Sequence, residues 1–355
     1  MTNLPRPDLS GLDPAVRAYI EALEAELAQR ATDHADRGDE PASLEPLEPS
    51  EPPTTLNVVT ISRAGLAKRT PRHLYERQRR GGMGIFDLET SGDDAPAFVA
   101  VLDVAHDLIV FTNHGRAFHV PVDHLAEAPV RGRGQPLLAN ANLHSDEHMA
   151  AVLPAGRGTN IALLTEKGYV RTLPAHVVGQ AMTPGTTLFR YLEYGALSAA
   201  CWTAGGGDLF VVSQRGIAIR FPERALPLPG GLGLRLEPGD RAVAIEAVQP
   251  PDGEALFLLG ADGRGTVRLM AGFAANKAPG GGGKVALKTD QLIGVIAVGA
   301  VDDLFVISHL GKMIRFRAAE VPAKEGVVQG VNCMALRADT CVALTATPAQ
   351  VPLPG

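Results

Sequence analysis

The sequence lacks the residues of a disulfide-bonded or membrane-spanning protein. Its 355 residues include only three cysteines, Cys201, Cys333 and Cys341, with no CxxC pair. That pattern excludes a disulfide scaffold and a cysteine-ligated zinc site. No apolar stretch reaches the roughly 18 residues that cross a bilayer, and the N-terminus has neither region of a secretory signal. We therefore expect a cytoplasmic protein with no membrane partner.

Aromatic residues are also scarce, at 5% of the chain with a single tryptophan. By contrast, the chain has 39 Gly and 27 Pro, which is too rich in turn residues for a mostly helical protein. A hydrophobic content of 45% argues against wholesale disorder. Many short strands joined by tight turns are the expected content.

The net charge of −6 is unevenly distributed along the chain. Residues 1–56 contain 4 Lys/Arg against 12 Asp/Glu, whereas residues 57–355 contain 29 against 27. Within 57–86 there are seven basic residues and one acid. The sequence therefore combines an acidic leader with a near-neutral body that contains one strongly basic segment.

The leader, residues 1–56, is predicted to contain one helix, at 13–30, followed by an extended Pro/Glu-rich linker at 38–56. Asp13 is a suitable N-cap, and Pro14 fits the first helical position. The apolar residues of the helix repeat at heptad-like spacing, namely Val16, Ile20, Leu23 and Leu27. Self-association through this stripe, recruitment of a partner, and folding back onto the basic segment are three open hypotheses for the leader.

The body contains six repeats of about fifty residues. In each repeat two β-rich runs flank a polar turn that ends in glycine, which is typical of a β-hairpin. The turn glycines are Gly65, Gly115, Gly168, Gly216, Gly263 and Gly311. A second glycine follows 17 to 20 residues later in every repeat, and an apolar run precedes each later hairpin.

This periodicity predicts an all-β fold, a six-bladed β-propeller spanning 57–355. The repeat boundaries place the blades at roughly 57–96, 97–147, 148–195, 196–240, 241–290 and 291–348. The last apolar run, 340–348, is expected to close the ring against the first blade. A kelch-type propeller has a similar period, but it requires Tyr and Trp in every blade, and this chain has one Trp and five Tyr.

The first hairpin is followed by QRRGGMG, residues 78–84. This segment, here called the box, closely resembles the Q-R-R-G-G-K-G heptapeptide of the C-terminal domain of the DNA gyrase and topoisomerase IV A subunits. Met83 replaces the lysine, and the other six positions match: Gln78, Arg79, Arg80, Gly81, Gly82 and Gly84. The resemblance extends over the six repeats. It implies a β-pinwheel-like propeller that binds and wraps duplex DNA, with a type II topoisomerase as an expected partner.

On this resemblance, basic residues around the propeller are candidate phosphate contacts, because arginine forks suit phosphate oxygens and distributed contacts can offset the energy of bending DNA. Glycines in the box would allow close backbone approach. Besides the six matching box residues, the candidates are Lys68, Arg69, Arg72, Arg77, Arg116, Arg131, Arg133, Lys167, Arg171, Arg215, Arg220, Arg264, Arg268, Lys284, Lys312 and Arg315.

Two segments resemble catalytic or cofactor-binding motifs but do not match them. The segment 278–285, APGGGGKV, lacks the first glycine and the final Ser/Thr of a Walker loop. HSDEH at 144–148 lacks the HExxH order of a zinc helix. The segment before residue 57 is too short for a strand-cleaving domain. We therefore expect a non-enzymatic, nucleoid-associated DNA-binding protein without metal or cofactor. A protein-interaction propeller that has lost DNA binding, including a regulator docked on a topoisomerase, is the alternative.

Overall fold

The computed structural model describes residues 51–90, 93–249, 255–273 and 278–347, and residues 16, 17, 20, 21 and 24 of the leader. The chain divides into two units, Met1–Ser50 and Glu51–Gly355. The five described leader residues are helical, and they fall within the predicted helix 13–30. The rest of that helix and most of the predicted linker lie outside the described residues.

The described part of the second unit is built from short strands. In chain order these are β1 Leu56–Ser62, β2 Leu66–Pro71, β3 Ile85–Phe86, β4 Leu88–Glu89, β5 Pro96–Asp103, β6 Asp107–Thr112, β7 Arg116–Pro121, β8 Gly132–Arg133, β9 Gln135–Pro136, β10 Met149–Pro154, β11 Asn160–Thr165, β12 Tyr169–Pro174, β13 Thr186–Thr187, β14 Leu197–Thr203, β15 Asp208–Ser213, β16 Ile217–Pro222, β17 Gly231–Leu232, β18 Ala242–Val248, β19 Ala255–Gly260, β20 Arg264–Leu269, β21 Lys284–Val285, β22 Leu292–Val298, β23 Asp303–Ser308, β24 Lys312–Arg317, β25 Ala323–Lys324, β26 Val331–Asn332 and β27 Cys341–Thr347.

A short 3-10 helix follows the second strand of every hairpin. The six are Arg72–Leu74, Val122–His124, Ala175–Val178, Glu223–Ala225, Met270–Gly272 and Ala318–Glu320, and a one-turn α-helix spans Tyr191–Tyr194. Among the described residues, no helix is long and apolar enough to cross a membrane.

The predicted hairpins are confirmed. Each of the six turn glycines has a positive φ, from 72° at Gly216 to 89° at Gly65. Only glycine adopts this conformation without a steric penalty, so the turn glycine fixes where the two strands reverse. In the first hairpin, for example, Thr60 pairs with Lys68 and Ile61 with Ala67.

Each blade combines strands from two successive repeats. The sheet orders are β5-β1-β2-β9, β10-β6-β7-β13, β14-β11-β12-β17, β18-β15-β16-β21, β22-β19-β20-β25 with β26, and β27-β23-β24-β3. A hairpin therefore pairs with the apolar strand that follows it, and its outer strand comes from the next repeat. The boundaries drawn from the sequence differ from these sheets, because they joined each apolar run to the hairpin after it.

The inner strands β5, β10, β14, β18, β22 and β27 lie side by side, and β27 returns to β5. This is the predicted six-bladed propeller. The last strand, β27, pairs with β23 of its own blade rather than with blade one. The hydrogen-bonded closure is made instead by β3 of the first repeat, which pairs with β24 through Phe86 opposite Lys312 and Ile85 opposite Met313.

Six apolar clusters form the core, one between each pair of neighbouring blades. Phe210 of blade four packs with Leu256 of blade five, and Val58 of blade one packs with Phe305 of blade six. Full burial of each such side chain stabilises the fold by about 1.5–3 kcal/mol. A single blade could not bury both of its faces, so the blades depend on one another.

Candidate nucleic-acid interface

The box lies at the junction of blades six and one, here called the seam. Its backbone bonds directly to β24 of blade six and to the segment that leads into β27. Gln78 N donates to Arg315 O at 2.7 Å, and Gly81 N donates to Cys333 O at 2.8 Å. Gly82 O accepts from Ala335 N at 2.9 Å. The box therefore joins the first repeat to the last.

Gly84 of the box is required by this packing. It has φ of +70°, and a Cβ added there would lie 2.6 Å from the backbone oxygen of Met313, closer than a real Cβ approaches. A Cβ at Gly82 would lie 2.9 Å from Gln78 Oε1, which is the end of a flexible side chain and can move away. Gly84 therefore serves strand closure in addition to any approach of a ligand.

The two box arginines have different environments. Arg80 Nε donates to Glu320 O at 2.7 Å, and Arg80 Nη1 donates to Asn332 O at 3.0 Å. Its backbone N–H also bonds Glu320 Oε2 at 2.9 Å. Arg79 is exposed. Arg80 thus binds the last repeat, whereas Arg79 presents its side chain at the surface.

Asp303, which is fully buried, is the centre of an ionic cluster at the seam. Its carboxylate lies 2.8 Å from Arg77 Nε and 2.5 Å from Arg315 Nη2. Arg315 also lies 2.6 Å from Glu51 Oε2, and Glu51 pairs with Arg72. Burial alone would raise the pKa of Glu51, but hydrogen bonds and charge from Arg72 and Arg315 leave it below the ordinary value. Three predicted DNA contacts are therefore engaged with carboxylates inside the seam.

A second buried network surrounds Asp87. Its carboxylate accepts from Thr60 Oγ1 at 2.6 Å and from the Tyr75 hydroxyl at 2.5 Å, and it lies 2.7 Å from Lys68 Nζ. Lys68, only 1% exposed, also donates to Pro129 O at 2.9 Å. Burial lowers the pKa of the Lys68 ammonium, an effect that Asp87 partly opposes. Burial, with Asp87 beside it, raises the pKa of Tyr75 well above its usual range.

The residue four positions after the turn glycine bridges neighbouring blades in four of the six hairpins. In each case its side chain bonds a backbone carbonyl at the 3-10 helix of the next repeat. The same side chain also contacts the side chain of the Asn or Asp eight positions before the turn glycine. The pairs are Arg69 Nε with Leu125 O at 2.6 Å, His119 Nε2 with Val178 O at 2.5 Å, Arg220 Nη1 with Met270 O at 3.0 Å and Arg315 Nη1 with Tyr75 O at 3.0 Å.

Five of the predicted DNA contacts are buried, which does not favour their direct contact with DNA. Lys68, Arg72, Arg220, Arg268 and Arg315 are each 3% exposed or less. Lys68, Arg72, Arg220 and Arg315 form ion pairs within the fold. Burial lowers the pKa of Arg268, whose Nε and Nη1 have no hydrogen-bond partner. A guanidinium or ammonium removed from the surface cannot reach a DNA phosphate.

Further candidates are partly exposed but bonded within the fold. Arg69, Arg77 and Arg80 hold the contacts described above. Arg116 lies 2.8 Å from the buried Glu147, and Arg171 Nη1 donates to Leu188 O at 2.8 Å. Lys312 Nζ lies 5.4 Å from the centre of the Phe86 ring. These side chains orient neighbouring segments before any ligand arrives.

The remaining basic candidates are exposed. They are Arg79, Arg131, Arg133, Lys167, Arg215, Arg264 and Lys284. Arg131 and Arg133 share Glu89, at 3.0 and 3.7 Å, and Arg264 lies 4.0 Å from Asp262. Lys284 packs over Phe273 at 4.3 Å from the ring centre. This exposed group is the part of the predicted interface that a nucleic acid could reach.

The six-bladed fold and its box have known relatives. A family model described as the DNA gyrase C-terminal domain, β-propeller, matches residues 56–100, 106–155, 207–249 and 302–324. The propeller has the fold of that domain and is here called gyrase-A-type for its fold alone.

Individual proteins are similar to most of this chain. The DNA gyrase A protein of Escherichia coli K12 is 26% identical over 286 residues, covering 77% of this chain and 32% of that protein. Its counterpart in Staphylococcus aureus MRSA252 is 24% identical over 301 residues, covering 81% of this chain and 34% of that protein. The chain thus spans about a third of the length of the curated relatives it matches.

Solved structures share the fold. A DNA gyrase A C-terminal domain superimposes with a TM-score of 0.70 at 19% identity, covering 82% of this chain and 99% of that one. The C-terminal domain of DNA topoisomerase IV gives a TM-score of 0.58 at 17% identity, covering 83% and 94%.

The gyrase-A-type propeller also has exposed cations that the sequence did not single out. They are Arg157, Arg190, Arg224, Arg235, Arg241, Lys288, Lys324 and Arg337. Most lie in segments that connect the outer strand of one blade to the inner strand of another. They could not be identified from the sequence because they lie outside any recognisable motif. Position relative to the turn glycines identifies only the buried residues that bridge neighbouring blades.

The histidine-rich segment 144–148 forms a side-chain cluster in this gyrase-A-type propeller. His114 Nε2 lies 3.2 Å from Asp146 Oδ2, and the His114 ring stacks on Tyr191 with ring centres 3.9 Å apart. Within the described ranges, no three His, Cys, Asp or Glu side chains are grouped as metal ligands.

Proposed function

We propose that the gyrase-A-type propeller binds duplex DNA through its phosphates, without reading base sequence, and bends or wraps it. The observation that carries the proposal is the exposure of seven predicted cations on a fold shared with the DNA gyrase A C-terminal domain. Arginine and lysine at a surface contact phosphates in any sequence, and such contacts position DNA without specifying bases.

The charge balance sets the expected strength of this binding. Residues 57–355 have a net charge of only +2, since 29 basic residues face 27 acids. Affinity should therefore depend on local clusters and fall steeply with salt, because each neutralised phosphate releases counterions. Bending a duplex smoothly takes several kcal/mol, which several separated contacts must offset.

The test is fluorescence anisotropy of a random-sequence duplex of about 40 base pairs, titrated with the full chain at several salt concentrations. We expect tight binding at low salt and a linear fall of log affinity with log salt, with a slope near −0.9 per phosphate contacted. Equal affinity for duplexes of unrelated sequence is also expected. Absence of binding at the lowest salt contradicts the proposal.

We infer that the protein acts in the cytoplasm at the nucleoid, as an architectural protein or as an accessory to a type II topoisomerase. Wrapping constrains supercoils, so relaxed plasmid treated with a nicking-closing enzyme in the presence of the protein should retain a linking-number change. Binding without such a change would restrict the role to DNA binding.

The acidic leader is proposed to regulate DNA binding by the propeller. Its net charge of −8 over residues 1–56 is opposite in sign to the basic segment 57–86. A chain that lacks residues 1–50 should bind DNA more tightly at low salt if the leader competes for the same cations. Light scattering of both forms tests self-association through helix 13–30, since only the full chain would then exceed the monomer mass.

A second candidate is a protein-interaction propeller. One observation favours it: Met83 occupies the lysine position of the box, is 51% exposed, and is followed closely in the chain by exposed Ile85 and Phe86. Such an apolar stretch suits a protein partner better than a phosphate. Arg79→Gln separates the two, because it should weaken DNA binding under the first proposal and leave a protein complex intact under the second.

A further inference from the structure

A cleft of about 560 Å³ lies beside the hairpin turn of blade three and the segment that leads into blade four. Three cations line it: Lys167 from the turn, and Arg235 and Arg241 from the segment that leads into β18. Two acids, Glu166 and Asp240, also line it. The cleft therefore has a formal charge of +1.

The cations of this cleft are available to a ligand. Lys167 and Arg235 are exposed, and within the described residues neither side chain has a hydrogen-bond or ion-pair partner. Arg241 Nε donates to the neutral Gln214 at 2.9 Å, so its positive charge is not compensated. An uncompensated cation at the surface needs no internal ion pair to break before it contacts a phosphate.

One of the two acids of the cleft, Asp240, bonds backbone groups. Asp240 Oδ1 accepts the backbone N–H of Arg241 at 2.8 Å and that of Arg215 at 3.3 Å. This pair of bonds fixes the loop that carries Arg241 next to the turn that carries Arg215. Asp240 thereby brings a fourth exposed cation close to the cleft.

The cleft at the seam has the opposite balance. Its volume is about 660 Å³, and it is lined by Arg131 and Arg133 together with Glu89, Asp93 and Asp94, for a formal charge of −1. Glu89 lies within 4 Å of both arginines, at 3.0 and 3.7 Å. A phosphate entering there would meet arginines already paired with a carboxylate.

We infer that the cleft of blades three and four is the principal phosphate-binding site for duplex DNA, with Lys167, Arg235 and Arg241 as its contacts. This inference rests on the proposed function and names the surface that performs it. The box then serves mainly to close the ring, and the path of DNA is anchored about three blades away from it.

The test compares two double variants of the full chain that remove equal charge. Lys167→Gln with Arg235→Gln empties the cleft of its two unpaired cations, and Arg131→Gln with Arg133→Gln is the matched control at the seam. All four side chains are exposed, so we expect both variants to fold, and melting curves of both variants check this. Anisotropy with the 40-base-pair duplex is measured across salt.

We expect the cleft variant to bind about tenfold or more weakly near 100 mM salt and to lower the salt slope by about 1.8, as two lost phosphate contacts require. The control should stay within about threefold of the wild type, since Glu89 already neutralises much of that charge. An equal loss of DNA affinity in the two variants, or a larger loss in the control, overturns the inference. The proposed function still holds in that case, provided that the wild type binds DNA. No wild-type binding overturns both.

Discussion

The seam and the blade three–four cleft show opposite uses of positive charge. At the seam, Lys68, Arg72, Arg77 and Arg315 are buried or half-buried against Asp87, Glu51 and Asp303. At the cleft, Lys167 and Arg235 are exposed without a partner in the described chain. The most basic stretch of sequence thus contributes to architecture, and a stretch with no recognisable motif contributes the accessible charge.

The difference follows from chain connectivity. From blade one to blade six, the inner strand of each blade continues into the hairpin of the next blade, but β27 of blade six does not continue into β1. The covalent link at the seam is instead the segment that runs from β2 of blade one through the box to β3 in the sheet of blade six. Ring closure there depends on β3, the box and the Asp303 cluster. Removing any member of a buried ionic cluster of this kind is strongly destabilising, because it leaves an unpaired buried charge.

The largest expected effect comes from Asp303→Asn. This change leaves Arg77 and Arg315 without their shared carboxylate, so we expect unfolding free energy to fall by about 3–5 kcal/mol. Chemical denaturation measures it. Asn fits this position, because Asn57 and Asn160 occupy it in blades one and three.

Asp208→Asn is the matched control for that change. Asp208 has the same place in blade four but pairs with one arginine, Arg220, at 2.8 Å. The loss there should be roughly half as large, about 1.5–3 kcal/mol. Equal losses at the two sites would show that the seam is not more dependent on ionic pairing than an ordinary blade junction.

Substitution of the two box arginines should have different effects: Arg80 should affect the stability of the fold, and Arg79 should affect DNA affinity. Arg80→Ala removes donors to Glu320 O and Asn332 O, and we expect it to lower unfolding free energy by about 1–2 kcal/mol. Arg79→Ala should leave stability within about 0.5 kcal/mol, since exposed side chains contribute little, while reducing DNA affinity severalfold. Denaturation and anisotropy on both variants check this; a large stability loss in Arg79→Ala would place that residue in the closure as well.

Acid should weaken the seam through Glu51. Its pKa in the folded protein lies below the ordinary value of 4.5, because Arg72 and Arg315 outweigh the effect of burial. A depressed carboxyl pKa stabilises the fold above the unfolded value, and this contribution is lost as pH falls through the folded value. Unfolding free energy measured from about pH 7 down to pH 3 should drop less steeply in Glu51→Gln than in the wild type. Parallel profiles would contradict a role for this carboxylate.

The repeats made the fold predictable, since the spacing of Gly65, Gly115 and the later turn glycines specified six hairpins. The exchange of outer strands was not predictable, because a two-residue strand such as β3 leaves no pattern in sequence. Burial of Arg220 and Arg315 could have been inferred from the Asp eight positions before each turn glycine, a pairing that emerges only when the repeats are aligned with one another. The blade three–four cleft depends on segments brought together by the ring, which no local motif records.

The smallest effect is expected where the box departs from the family heptapeptide. Met83 is exposed, so Met83→Lys should fold normally and add one cation beside Arg79. If the seam is a secondary DNA contact, affinity should rise by only about twofold to eightfold at low salt, with the salt slope steeper by about 0.9. The matched control is Met83→Gln, which introduces polarity without charge and should leave both quantities unchanged. An increase as large as the loss in the cleft variant would instead make the box a principal DNA contact and reverse the comparison between the two regions.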